Sequence, residues 1–488
     1  MKSPILGQAY VERSPNYATN RLINMYATTA PSDSKTVGSF FRCPGTTLKA
    51  TLTGQTGSEV RGLWQLGDYV YAVCGNGFFE VDSAYTVTQI TGVNISGTGP
   101  VSMADNGTQI FIACNPDGYI YNTSTEALVQ ITDEDFLGAV TVGYLSGSFI
   151  YNVPDSQQFQ YTAIEEGTDI DALDFASAEG APDELVAIHI DHLEAWMFGV
   201  YTTEVFGSTG QTDNPYQRIQ GAIIEQGCAA PFSVAKQDNS LFWLGRNKEG
   251  EGIVYRANGY TPQPVSTDAI EYAISQWSTL DDAIAYTYTQ DGHPYYVLTS
   301  PSGNETWAYD CKTRLWHQRA YLDADTGDLN RARGNCHVLF NGTHLIGDNG
   351  DGLTNTGKIL SMDLDVYADA GVTNKWIRSW RALPTGQNNL KRTVQHALQI
   401  DMQTGVGLNS GQGSAPTVLL RWSDDGGHNW SNYHSCSVGA IGRTGTRAIF
   451  RRLGSTEKLR DRVYELSGTD PVFIAIQGAE LQLSGASS

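Results

Sequence analysis

No Cys-x-x-Cys pair occurs in this 488-residue sequence. Its seven cysteines (Cys43, Cys74, Cys114, Cys228, Cys311, Cys336 and Cys436) are scattered singly and odd in number. That argues against a disulfide framework or a zinc cluster and for free thiols in a reducing compartment. No apolar window approaches the ~18 residues of a membrane-spanning helix, so no membrane segment is expected. The opening stretch MKSPILGQAYVERSPNYATN has only a brief apolar run before Glu12 and Arg13, which is not the pattern of a secretory leader. Folding in a cytoplasm is the expectation. The GxxxxGK[ST] phosphate loop is missing, and no strand-Gly-helix unit offers a dinucleotide site, so no cofactor is expected.

Cations are scarce as well. The 31 Lys and Arg face 52 Asp and Glu, a formal net charge of −21, so the chain as a whole should be repelled by nucleic acid at ordinary salt. The imbalance is uneven: residues 365–488 hold 13 basic and 10 acidic residues, and residues 1–364 hold 18 and 42. The first part therefore carries −24 and the last part +3.

What the chain has in abundance is glycine (52) and tyrosine (25), with 10% aromatic residues overall, a composition suited to a turn-rich β protein. Segments of alternating apolar and polar residues, broken by tight polar turns, recur every 40 to 55 residues or so. They include VRGLWQLGDYVYAVCGNGFFEV from Val60, VSMADNGTQIFIACNPDGYIYN from Val101, AIAYTYTQDGHPYYVLT from Ala283 and HVLFNGTHLIGD from His337. One such hairpin set cannot bury both its faces, whereas copies stacked radially around an axis can. The pattern predicts an all-β chain with a β-propeller of six to eight blades, seven modules being countable. After Asp365 the period is lost, and shorter alternating strands joined by Gly-rich turns predict a compact antiparallel sandwich or barrel. The expected division is residues 1–55 as an N-terminal arm or propeller-closing segment, 56–364 as the propeller and 365–488 as the C-terminal sandwich-like domain.

Few motifs carry chemistry. RWSDDGGHNW fits the Asp-box Ser-x-Asp-x-Gly-x-x-Trp with Ser423, Asp425, Gly427 and Trp430. In that motif the carboxylate accepts backbone hydrogen bonds in a tight turn, and Trp430 is expected in the core beneath it. A sialidase would add further boxes on successive blades, an arginine cluster, and a nucleophilic Tyr with carboxylate partners; nothing in the spacing selects such a set. In HIDH, strand alternation places His189 and Asp191 on one face and His192 on the other, an arrangement that suits a satisfied blade histidine better than a metal site. The acidic turns DADTGD (Asp323 to Asp328) and DNGDG (Asp348 to Gly352) suit calcium in part but complete no calcium loop. No metal ligands are assigned.

The run RTGTRAIFRRLGSTEKLRDR reverses the acidity locally. Its residues Arg443, Arg447, Arg451, Arg452, Lys458, Arg460 and Arg462 are a candidate docking surface for an acidic partner or for DNA phosphate at close range. If RAIFRR is a strand, Arg447, Ile449 and Arg451 share the solvent side.

Several stretches in order resemble the tail nozzle, or packaged-DNA stabilisation, proteins of short-tailed bacteriophages. These are RSPNYATNRLINMYA, FRCPGT, VRGLWQLGDYVYAVCGNGFFEV, VSMADNGTQIFIA and a C-terminal series of Asp-box turn, Gly-rich loop, RRLG, RVYEL and TDPV. The resemblance spans nearly the whole chain, although residues 150 to 330 or so add only propeller-like texture. It implies a non-enzymatic propeller protein of the virion tail, six copies forming a ring around the DNA exit channel. The implied partners are the head-to-tail adaptor, the tail needle, tip or fibre proteins, and packaged DNA that passes without sequence-specific binding. A glycan-binding tail module, or more remotely a sialidase-like glycosidase, is the alternative.

Overall fold

The computed structural model describes the chain except residues 16, 32, 54–56, 179, 181, 212–214, 351–355, 385–391, 457–461 and 487–488. Among the described residues it is a nearly all-β propeller of seven blades, mostly four-stranded, with a β-sandwich and one short α-helix, Asp268–Ile274. Blade 1 is built from Val60–Leu66, Tyr69–Cys74, Gly77–Val81 and Val87–Ile90, each strand antiparallel to the next. Blades 2, 3 and 4 repeat this order over Ser102–Gln130, Val142–Ser177 and Leu185–Ile224. In blade 5 the 3-10 turn Pro231–Ser233 splits the innermost strand into Gly227–Cys228 and Ala235–Gln237, both paired with Ser240–Arg246. Blade 6 runs from Ile284 to Leu322.

Blade 7 takes three strands, Gly334–Phe340, Thr343–Asp348 and Thr356–Asp363, from its own stretch of sequence. Its fourth, Gly45–Thr53, comes from the far end of the chain and pairs antiparallel with Thr356–Asp363, closing the ring.

The second strand of a blade is buried almost throughout, as in Gln109–Cys114, whereas an outermost strand such as Ala127–Gln130 buries one residue. Burial therefore falls from the middle of a blade to its rim. A middle strand is covered on both faces by the neighbouring blades and reads as a continuous apolar run. Aromatic rings fill the joints between blades, each pair near its preferred separation. Tyr71 meets Tyr121 between blades 1 and 2, Phe111 meets Tyr151 between 2 and 3, Phe159 meets Phe206 between 3 and 4, and Phe198 meets Trp243 between 4 and 5, all at 5.2–5.4 Å. Blades 7 and 1 share an aliphatic joint of Leu345, Ile359, Val60 and Val70.

The sandwich draws on both ends of the sequence. One sheet has the order Ala448–Arg451, Thr393–Met402, Ala475–Gly485, Gly38–Arg42, Met25–Thr29. In the other, Leu22–Ile23, Trp376–Arg381, Val463–Gly468, Thr417–Ser423 and His434–Ser437 follow one another. Leu22–Ile23 also pairs in parallel with the outermost strand of blade 6 through Gln318, so this second sheet continues into the propeller.

Asn24 fixes that junction. Its backbone is left-handed (φ 53°), its amide donates to the carbonyls of Ala320 and Lys375 at 2.8 Å each, and its side-chain oxygen accepts the Ala320 N–H at 2.9 Å. Asparagine tolerates this conformation better than most residues because its short polar side chain bonds locally. Buried Arg42 adds a second tie, reaching the carbonyls of Asp470, Val472, Tyr367 and Asn374. A single apolar cluster runs from Phe242, Tyr296 and Trp316 of blades 5 and 6 into Trp376, Trp380, Leu420 and Ile476 of the sandwich.

Candidate functional site

The Asp-box turn follows the strand Thr417–Ser423. Ser423 Oγ donates to Asp425 Oδ1 at 2.6 Å and accepts the Gly427 N–H at 2.8 Å. Asp425 accepts the Asn429 N–H at 2.9 Å and the Asn429 amide at 2.6 Å. Those donors, the Asn429 backbone first and then Ser423, hold the Asp425 carboxyl well below the usual carboxylate range. Gly427 has φ 103°, a conformation that side-chain-bearing residues rarely adopt. Trp430 departs from expectation: it is half-buried, with the Arg421 guanidinium 4.6 Å over its ring, and is no part of the core. Arg421 itself is held by fully buried Glu465, with Nη2 to Oε1 at 2.6 Å.

Three separated motifs converge here. Arg21 of the N-terminal stretch reaches Glu465 at 3.4 Å, Arg421 belongs to the Asp-box, and Glu465 to RVYEL. Arg462, assigned by sequence to the docking surface, lies inside instead, 2% exposed. It forms two 2.7 Å bonds to Asp424 and donates to Leu453 O at 2.6 Å, which ties RRLG to the Asp-box. The basic run by itself could not show this, because the residue's environment is set by a loop 38 positions away.

Arg443, Arg447, Arg451 and Arg452 are exposed. On the edge strand, Ala448 and Phe450 point inward while Arg447 and Arg451 point out. Arg452 leaves the alternation because its backbone turns left-handed, φ 61°. Lys458 and Arg460 fall outside the described residues. Among the described residues none of the four exposed arginines makes an ion pair, and Arg447 donates to Gln399 Oε1 at 2.6 Å.

The other candidates resolve into structure. His192 stands at a left-handed turn, φ 47°, so its ring swings back to Asp191 at 2.9 Å, and Lys236 meets the same carboxylate at 2.5 Å. His189 lines the propeller axis, where burial pulls its imidazole down to about 4. The axial cavity, about 520 Å³, takes walls from all seven blades, among them Leu63, Met103, Val142, Ile188, Phe232 and Ile284. In DADTGD, Asp323 accepts the N–H groups of Asp325 and Thr326 as a turn carboxylate. Asp348 is paired twice with Arg333, at 2.8 and 2.6 Å, and Asp351 and Gly352 fall outside the described residues. Among the described residues no three His, Cys, Asp or Glu gather as metal ligands would, and no helix is long and apolar enough to cross a membrane.

Placing the charges on the fold exposes an arc that the whole-chain balance hides. Between Arg61, buried in the first strand of blade 1, and Arg218, on the outermost strand of blade 4, the sequence contains no Lys or Arg and 22 Asp and Glu. Nearly four successive blades therefore carry no cation.

Residues 1–360 match a family model described as bacteriophage P22 Gp10, beta-propeller, and residues 376–484 match one described as bacteriophage P22 Gp10, beta-sandwich. No curated protein matches the sequence. Solved structures that are similar include the N-terminal domain of Nup159, with 9% identity over 71% of this chain and 100% of that one at a TM-score of 0.40. The Cps50 (Swd1) beta-propeller domain of Myceliophteria thermophila is 9% identical over 65% of this chain and 100% of its own, TM-score 0.40. PorZ of Porphyromonas gingivalis is 10% identical over 79% of this chain and 46% of its own, TM-score 0.37. Likeness at that level carries no functional argument.

Proposed function

The chain belongs to the bacteriophage P22 Gp10 family, structural proteins of the virion tail, and from that premise we propose that it forms the tail nozzle. In this reading six copies make a ring that extends the DNA exit channel, joins the head-to-tail adaptor above to the needle, tip or fibre proteins below, and retains the packaged genome. Assembly takes place in the host cytoplasm.

The observation that carries the reading is the acidic stretch between Arg61 and Arg218, most of blades 1 to 4, which contains no Lys or Arg. Binding to duplex DNA is driven largely by Lys and Arg displacing condensed counterions. A surface with carboxylates and no cations guides DNA without holding it, as a conduit requires. The role is non-enzymatic: the Asp-box carboxylate is taken up by its own turn.

Deleting the gene from the phage tests this. Heads should still package DNA and then lose it, read as a fall in nuclease-protected genome per particle. Mutant particles that keep their full DNA content would refute the nozzle reading.

A further inference from the structure

The strand Ala448–Arg451 ends its sheet, its backbone ladder running only to Thr393–Met402, with Cys436 Sγ of the neighbouring strand donating to Ile449 O at 3.7 Å on its other side. Arg447 and Arg451 project from it, Arg443 precedes it and Arg452 follows it, all exposed. Their neighbours on the sheet's outer face are His396, Gln399 and Gln482, with one exposed carboxylate, Glu480, opposite Gln399 and Asp401 held by Lys35 at 2.6 Å. Ile441, 59% exposed, lies two positions before Arg443, so the segment carries an apolar residue as well as cations.

Its complement lies on the same chain, in blade 3. The connection before the outermost strand Phe175–Ser177 exposes Glu165, Glu166, Asp169 and Asp171. None of the four makes an ion pair among the described residues. The same connection exposes Ile164 (71%) and Leu173 (79%).

We propose that the arginine edge of one copy docks on the blade 3 connection of the next copy, head to tail around the ring. This rests on the ring reading above and specifies its contact. Opposite potentials with apolar contacts beside them favour that encounter, whereas the arginine edge set against itself would oppose like charges. A contact between two different patches is heterologous, and it closes into a ring when its rotation divides a full turn.

Charge reversal tests the pairing in the full chain. Variant A carries Arg447→Glu and Arg451→Glu; variant B carries Glu165→Lys, Glu166→Lys and Asp171→Lys. Ring formation is measured by native mass spectrometry, with thermal melting to confirm that each variant is folded. If wild type forms rings only on particles, the same variants are supplied in trans to phage lacking the gene, and copies per particle are counted. Each variant alone should assemble at least ten-fold less well than wild type. An equal mixture should recover, because alternating A and B satisfies every contact in a ring of even number.

Normal assembly of either variant alone, or a mixture that stays unassembled, overturns the pairing. Variant A forming rings but failing to join DNA-filled heads overturns it too, assigning the arginines to the adaptor. The nozzle reading fails separately, if particles without the protein keep their DNA.

Discussion

Replacing Asp425 with Ala removes the acceptor for the Asn429 N–H and its side-chain amide, and frees Ser423. A loss of about 1–2 kcal/mol is expected for a solvent-facing turn, read as a lower melting temperature. Removing Glu465 should cost more. It is fully buried, and its loss leaves Arg421 and Arg21, 22% and 35% exposed, without their charged acceptor, a cost of about 2–3 kcal/mol for hydrogen bonds to a charged group. Glu465→Ala should therefore shift the urea midpoint further than Asp425→Ala, and the reverse order would count against the buried-pair account. His337 supplies a pH test. Burial, and then the neighbouring His344 at 3.0 Å, lowers its imidazole from 6.5 to about 3. The unfolded chain thus takes the proton first, so the stability from this group is complete above pH 6.5 and is lost as pH falls toward 3. His337→Gln should flatten the fall in melting temperature between pH 6.5 and 4; an unchanged slope would contradict the assignment.

At the scale of elements, the blades were legible because their signal is local: a strand, a polar turn and an aromatic strand recur within a few dozen residues. For the N-terminal segment the sequence offered only an arm or a propeller-closing piece, with no partner strand for either. Met25–Thr29 and Gly38–Arg42 enter the sandwich while Gly45–Thr53 completes blade 7, and partners 300 or more positions away leave no periodicity to read. The Asp-box turn was equally local and its hydrogen bonds followed from its letters. Arg462 was misplaced because a surface arginine and a buried, doubly bonded one look alike until Asp424 is brought beside it. The closing strand has its own test. Leu52 is fully buried in the blade 7 to blade 1 joint, and Leu52→Ala should cost about 2–5 kcal/mol. Hydrogen exchange should then quicken in Thr356–Asp363, its direct partner, and stay slow in blade 3.

For the whole molecule, charge matters through where it sits. Net charge of −21 says only that the chain repels DNA on average; the stretch from Arg61 to Arg218 concentrates 22 carboxylates with no Lys or Arg among them. Purified protein should accordingly fail to shift a DNA duplex at physiological salt, and substituting lysines along the solvent-facing outer strands of blades 1 and 2 should create binding that weakens steeply as salt is raised. Duplex binding by the unaltered protein would remove the basis for a sliding surface.

The split destination of the N-terminal strands also sets a schedule for synthesis. Gly38–Arg42 pairs with Ala475–Gly485, more than 400 residues later on the ribosome. At the ~5–20 residues per second of translation, Phe40 and its neighbours wait on the order of half a minute or more for their partner strand. Each blade from 1 to 6 can close as it emerges, and Met25–Thr29 and Gly38–Arg42 can pair with each other at once, but the free edge of that hairpin must be kept from other strands until Ala475–Gly485 has left the exit tunnel. A ribosome stalled after Thr356–Asp363 has emerged and before Ala475–Gly485 is made should therefore display a nearly complete propeller trailing an uncapped, aromatic-rich edge, a natural target for chaperones.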